Sequence, residues 1–386
     1  MENNRDIQDI FFDNLQYIKD SNLPKHVIHT AEDIANCRTN AMHGHVYQCP
    51  KKHFTAILRN SCNNRNCPKC QNHHKFKWMK DTKKMALNTP HYHLVLKLPS
   101  FCNPYFLKNY RQFVNILFVA GKKTVEKIIR YSDYNNSLPG IIMALHTYGE
   151  HNELHPHLHI IMTAGGIDTK GKWVEYDTTL FHSKSFPSFY TSIIRKELGR
   201  YAKDHADLQN DFILNTKNIH TMDIFVSEKY STPDHIINYL ANTIRGTSIQ
   251  NKHILNASSG IVKYKTKSND KSELSEQEFI RRYLIHVLPW NQKSIRYAGL
   301  YSSSSRKRLG IAKSLFPESD CKPEIIEDET LTENESEFIN PYKICPVCKK
   351  KMLQIEKVLP YKVPLFIIAK FGKDPPIEEL FIKRAA

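Results

Sequence analysis

The sequence predicts an α+β protein in which antiparallel strands are interleaved with helices, behind a small cysteine-rich module near the N-terminus. Three observations predict it. Stretches that alternate polar and apolar residues, such as HYHLVLKLP (91–99), lie between stretches of helical periodicity, such as 105–130. Five of the nine cysteines, Cys37, Cys49, Cys62, Cys67 and Cys70, fall within 34 residues, which favours metal binding over disulfides in a chain that starts without a secretory leader. At 386 residues the chain is long enough for two or three domains, each with its own core.

Taken in order, Ile7, Ile10, Phe11, Leu15 and Ile18 recur at helical spacing and predict one or two short helices. The cysteine cluster occupies 37–74. HYHLVLKLP reads as a strand ended by Pro99, and 105–130 as a long helix. GIIMALHTYG (140–149) and 157–163 read as the two strands of a hairpin, the second ended by Gly165 and Gly166. A helix is expected over 186–203 and a strand over 222–226. Another helix runs from Pro233 to Arg245, with proline in the first turn, where its missing N–H costs nothing, and Gly246 just past the end. Residues 261–265 form a short strand, and Ser275-Glu-Gln-Glu278 is a capping box that opens a helix through His286.

The net charge of +16 and a pI near 9.3 point to a polyanionic partner, because clustered Lys and Arg release counterions from a phosphate backbone. Solubility alone is the plainer use of such charge. Between Phe316 and Asn340 there are nine acids against the single base Lys322, so this window carries −8 and the rest of the chain +24. It reads as a solvated acidic linker. No window approaches the roughly eighteen uninterrupted apolar residues of a membrane span. The start, MENNRDIQDIFFDN, is no secretory signal, and a cytoplasmic protein is expected.

In the cysteine cluster, Cys62-x4-Cys67-x2-Cys70 is the densest part. A Cys-x2-Cys turn brings two thiolates to one tetrahedral zinc, and a second pair completes the shell. Cys37, His45, Cys49, His53, Cys62, Cys67, Cys70 and His73 suffice for two four-coordinate zinc ions, or for one with spectator histidines. Closed thiolate sites of this kind are structural. Interleaved Arg38, Lys51, Lys52, Arg59 and Arg65 suit the module to DNA. Cys345-Pro-Val-Cys348 offers half a knuckle with no second half near it. His151-Asn-Glu153 fits the H-x-E of zinc deaminases, but Asn66 and Ile344 stand where the downstream Pro-Cys-x-x-Cys needs proline.

HPHLHIIM (155–162) places His157 and His159 on one face of a strand, about 7 Å apart at Cα, close enough to chelate one ion. His91 and His93 have the same spacing without an obvious partner, so spacing alone leaves metal binding and plain structure both open. Tyr239 lies mid-helix, with Asn242 and Thr243 one turn on and Ile236, Ile237, Leu240 and Ile244 as the buried face. An isolated tyrosine there is most simply a packing residue.

Together, HPHLHIIM, the helix IINYLANTI, the run FIRRYLIHVLPWNQKSIRYAGLY (279–301) and GHVYQCPKKH…NSCNNRNCPKC resemble the rolling-circle insertion-sequence transposases, which carry an HUH nuclease domain behind an N-terminal zinc-binding domain. The likeness covers most of 30–310, with its four motifs in the family's order. It implies a central antiparallel sheet flanked by helices, and a metal-dependent enzyme that nicks and joins single-stranded DNA. Carried over, His157 and His159 match the HUH pair. Tyr239 matches the tyrosine that becomes joined to a 5′-phosphate and leaves a free 3′-OH. Thr243 stands where many members have a second tyrosine, implying a single-tyrosine variant, and His53 stands where the zinc module usually has a cysteine.

Two imidazoles leave most of an octahedral Mg²⁺ or Mn²⁺ shell open. Glu150, at the end of the strand before His157, is the expected third ligand, with His146 and Asn242 as weaker choices. Arg281, Arg282 and Arg296 are the expected phosphate contacts. The expected domains are helices and a zinc-binding DNA-contact domain over 1–85, an HUH nuclease over 86–312, the acidic linker over 313–340 and a C-terminal tail over 341–386. Expected partners are single-stranded DNA at transposon ends and target, with the host replication machinery, in a bacterial, nucleoid-associated setting. An HUH replication initiator or relaxase, and a zinc-dependent DNA-binding protein whose nuclease has decayed, are the competing readings.

Overall fold

Two segments far apart in sequence, one early and one late, fold into one unit, and most of the residues between them into another. In the computed structural model the described residues are 5–177, 179–182, 185–205, 210–227, 229–244, 248–266, 268–317 and 343–362. Among these, one unit comprises 5–23, 28–73 and 343–362, and the other 24–27 and 74–317. None of the described helices is long and apolar enough to cross a membrane.

The first unit begins with α1 (Ile7–Asp13), α2 (Leu15–Asp20) and α3 (Lys25–Asn36). The N-terminal apolar residues bury as their spacing predicts, with Ile7, Ile10, Phe11 and Ile18 fully enclosed. A hairpin follows, β1 (Gly44–Gln48) with β2 (Thr55–Arg59), then α4 (Gln71–Met85) leaves the last cysteine. The free edge of β1 takes up β12 (Leu353–Val358), giving the antiparallel order β12-β1-β2. The described part of the tail is therefore no separate appendage. Residues 318–342, which hold nearly all of the acidic window, lie outside the described residues.

The second unit is built on β3 (His91–Lys97), β4 (Leu138–Tyr148), β5 (Leu154–Ile167), β6 (Trp173–Glu175), β7 (Phe225–Val226) and β11 (Ile295–Gly299), in the order β11-β4-β5-β3-β7 with β6 paired to β5. All neighbours in it are antiparallel. Its helices are α5 (Asn103–Lys108), α6 (Tyr110–Arg130), α7 (Thr179–His182), α8 (Ser185–Asp204), α9 (Asn210–Lys217), α10 (Pro233–Ile244), α11 (Glu276–Leu284) and α12 (Arg306–Leu315). A small sheet, β10-β9-β8, is formed by β8 (Ile254–Ser258), β9 (Ile261–Lys265) and β10 (Lys271–Ser275).

The large sheet is buried on both faces. Leu158, Ile160 and Met162 of β5, with Leu94, Leu96, Met143 and Leu145, pack with α6 and α8 through Phe113, Leu117, Tyr190 and Ile194. Gly121 of α6 faces β5 so closely that a Cβ would come within 2.6 Å of Leu158 Cδ2, and glycine is what lets the helix sit there. On the opposite face, Ile142, Ala144 and Ile161 pack with Ile236, Ile237, Leu240 and Ala241 of α10.

The single helix expected over 105–130 is two, because Asn109 leaves helical geometry (φ −126°, ψ 45°) and its carbonyl starts the next helix by accepting from Gln112 and Phe113. The strand expected over 222–226 is only Phe225–Val226, since the Met222 N–H goes to Thr191 Oγ1 at 2.9 Å instead of to a strand. Of the expected capping box, the Ser275 half forms, its Oγ accepting from the Glu278 N–H, while the Glu278 carboxylate turns to Arg281 and Arg282 instead of back to Ser275.

Candidate active site and metal clusters

Register places the histidines. His146 of β4 lies directly across from His157 of β5, and Ala144 across from His159, so all four side chains share one face of the sheet. The ligating nitrogens of His146, His157 and His159 lie within 4.8 Å of one another, and all three residues are buried. His157 Nδ1 donates to the His155 carbonyl at 2.7 Å, which leaves the Nε2 lone pair facing the cluster, where His146 Nδ1 reaches it at 3.0 Å. His93 of β3, on the same face, meets His159 Nδ1 through its Nε2 at 2.8 Å. Burial pushes His93 down to about 4, so it stays neutral near pH 7 and steadies the His159 ring as an outer partner. Three convergent buried imidazoles with an oriented second sphere fit a divalent cation.

α10 covers this same face. Its apolar residues rest on Ile142, Ala144 and Ile161, which continue along β4 and β5 from the histidines. Tyr239 belongs to that helix, between Ile237 and Leu240, both of which are buried against the sheet.

The cysteines divide into two groups. Cys37, Cys62, Cys67 and Cys70 bring their sulfurs within 4.8 Å of one another, with Cys37 and Cys70 at 3.5 Å and Cys62 and Cys70 at 3.7 Å. A tetrahedral zinc with Zn–S of about 2.3 Å has S···S edges of about 3.8 Å, so the four sulfurs match such an ion. Hydrogen bonds among them pull the Cys37 and Cys70 thiols down and push Cys62 and Cys67 up, because so many thiolates cannot coexist without a cation. Cys49 and His53 are not in this group; they stand with Cys345 and Cys348.

Residues 10–98 match the family model described as "Transposase zinc-binding domain", and residues 140–308 the one described as "Putative transposase". Both regions of the chain thus resemble transposases. It is 26% identical over 353 residues to "Putative transposase y4qJ" of Sinorhizobium fredii, covering 83% of this chain and 86% of the relative. It is 25% identical over 275 residues to "Transposase for insertion sequence element IS801" of Pseudomonas savastanoi pv. phaseolicola, covering 67% of this chain and 64% of that one. No solved structure matches the chain.

Glu150 is not beside the histidines. The β4–β5 pairing ends at Tyr148 and Leu154, so Glu150 falls in the exposed turn beyond the strands, and His146 takes the third place in the cluster. His45 lies on β1 and His73 on α4, both outside the metal-ligand groups found among the described residues. The arginines are also placed differently from expectation. Arg281 and Arg282 both pair with Glu278, the former through two contacts of 2.6 and 2.7 Å, and Arg282 also donates to the His151 carbonyl. Arg296 is across from Met143, hence on the α6 face; it donates to Asn115 and stacks over Phe118, away from the histidines. Tyr301 packs in the core, accepting from the Leu87 N–H and donating to His91 Nε2, while Tyr297 accepts from Trp78.

In the sequence His93 stood without an obvious partner, and His146 ranked below Glu150 as a third ligand. Counting back from the turn at 149–153 pairs 148 with 154 and would set 146 opposite 156; a bulge between His146 and Tyr148 shifts the register by one and brings His146 opposite His157, which no local pattern announces. For Cys345 and Cys348 no local signal exists, because their partners are almost 300 residues away.

Proposed function

We propose that this transposase nicks and rejoins single-stranded DNA at the ends of its element, with Tyr239 as the attacking group and His146, His157 and His159 as the seat of a divalent cation. The observation that carries the reading is that the histidine cluster and the helix bearing Tyr239 occupy one face of one sheet. The all-nitrogen donor set favours Mn²⁺ over Mg²⁺, which prefers oxygen. Such a cation supplies Lewis acidity toward a phosphate oxygen, lessening the demand on a phenol whose usual pKa is near 10.

The chemistry asked of the chain is then simple. The Tyr239 oxygen forms a bond to phosphorus as the P–O3′ bond breaks; the phenolic proton is lost and the 3′-oxygen leaves as the hydroxyl. The 5′-phosphotyrosine keeps the energy of the cleaved linkage, so a different 3′-OH can attack it and release the phenol without ATP. His93 and the His155 carbonyl hold the rings of His159 and His157. Joining of donor and target strands, with copying by host replication, constitutes rolling-circle transposition. Zinc in the Cys37–Cys62–Cys67–Cys70 group folds the accompanying module and takes no part in the reaction.

Incubating the protein with Mn²⁺ and labelled single-stranded oligonucleotides from the element's ends tests this. A covalent protein–DNA adduct is expected, lost in Tyr239→Phe and in His157→Ala/His159→Ala. DNA binding without an adduct on any end sequence would favour the decayed nuclease.

A further inference from the structure

The C-terminal Cys-Pro-Val-Cys is not used by the nuclease, and the matched zinc-binding region ends at residue 98. Yet the ligating atoms of Cys49, His53, Cys345 and Cys348 lie within 4.8 Å of one another, with the Cys49 and Cys348 sulfurs 3.5 Å apart. That separation is close to the edge of about 3.8 Å expected of a zinc–thiolate tetrahedron, and well beyond the roughly 2.05 Å of a disulfide bond.

We propose that Cys49, His53, Cys345 and Cys348 hold a second zinc ion, which makes the C-terminal segment a metal-bound part of the N-terminal module.

Two turns of like build deliver the ligands. Each starts Cys-Pro and closes through the carbonyl of its cysteine: Cys49 accepts from the Lys52 N–H at 2.7 Å, and Cys345 from the Lys349 N–H at 2.8 Å. Lys52 and Lys349 both adopt left-handed backbone, φ 55° and 57°, which turns the chain so that the following ligand or strand returns past the first sulfur. The Lys51 N–H points at Cys49 Sγ at 3.4 Å. Three thiolates and a neutral imidazole leave a zinc site with a net charge of −1, and Lys51, Lys52, Lys349 and Lys350 on the same turns offset it. A soft S₃N set also selects zinc against the hard Mg²⁺ or Mn²⁺.

The surroundings are built for closure. β12 pairs along β1 from Gly44↔Val358 to Gln48↔Leu353. Arg59 reaches the carbonyls of Leu359 at 2.9 Å and Lys362 at 2.9 Å, and the Tyr361 N–H donates to the Asn40 carbonyl. Among the described residues, the cluster beneath this ribbon has Cys49, Cys345 and Met352 as its buried members. It adds little to the burial of Val46 and Val358 on the same strands, so the proposed ion would contribute much of the order of this ribbon.

The test is elemental zinc counting on the full chain carrying His157→Ala/His159→Ala, so that the histidine cluster takes up none. Two zinc ions per chain are expected, falling to one in Cys345→Ser/Cys348→Ser and returning to two in Cys348→His. Cobalt(II) reconstitution reads the ligands independently of folding yield. Thiolate-to-metal absorbance should fall from the equivalent of seven thiolates, four in the first group and three in the second, to four. One zinc in the parent chain, two in the double serine variant, or a Cys49–Cys348 disulfide in thiol titration would each overturn the proposal.

Discussion

Strand β5 and strand β1 sit in sheets held by different physics. On β5, Leu158, Ile160 and Met162 are each 0% exposed and packed on α6 and α8, while the other face meets α10. On the ribbon of β1, the partner strand β12 leaves Leu353 58% and Ile355 49% exposed, and the buried cluster is mostly cysteine. A sheet covered on both faces is specified by apolar burial spread over many residues. A thin ribbon concentrates its specification in a few metal ligands. The unit of the large sheet should therefore tolerate loss of any one contact, whereas the zinc unit should fail as a whole when its ligands are lost.

Chelation is the strongest way to break this comparison. Stripping zinc should remove hydrogen-exchange protection from 44–59 and 353–358 together, since structural zinc contributes apparent free energies of about 10–16 kcal/mol. Protection at 141–147 and 157–163 should persist. Equal loss in both regions would mean that the large sheet depends on the metal too.

A core truncation sharpens the other side. Ile160→Ala should destabilise the unit of the large sheet by about 2–5 kcal/mol in denaturant titration while leaving the zinc content unchanged.

Acid separates the units more gently. Burial pushes His91 and His286 down to about 4, below the ordinary 6.5 of histidine. The unfolded chain thus binds more protons, so this stability is full above about pH 6.5 and is lost as pH falls toward 4, at about 1.4 kcal/mol per pH unit for each group. The β4–β5 turn should loosen first, because His286 accepts from Thr147 and donates to the Asn152 carbonyl. Melting at pH 5 and 7 by intrinsic fluorescence checks this.

What could be read from the sequence follows the same division. The antiparallel sheet, α8, α10 and the His157/His159 pair were legible because periods of two and 3.6 residues are local signals. The break at Asn109 depended on one residue's backbone, and the third histidine on register, which only appears once β4 and β5 are paired. Of the zinc candidates, Cys37, Cys62, Cys67 and Cys70 declared themselves by proximity along the chain, whereas the company kept by Cys49 and His53 is set by β12 returning from the far end. Arg281 and Arg282 show the limit of composition, since a basic run says nothing about the Glu278 that engages both.

The most direct measurement is mass spectrometry of the Mn²⁺-driven reaction with an end-derived oligonucleotide, after nuclease and trypsin digestion. The account predicts a nucleotide 5′-phosphate on the peptide 230–245, localised by fragmentation to Tyr239 and not to Tyr230. A nucleotide found on any other residue, or efficient strand cleavage with no modified peptide, would contradict it.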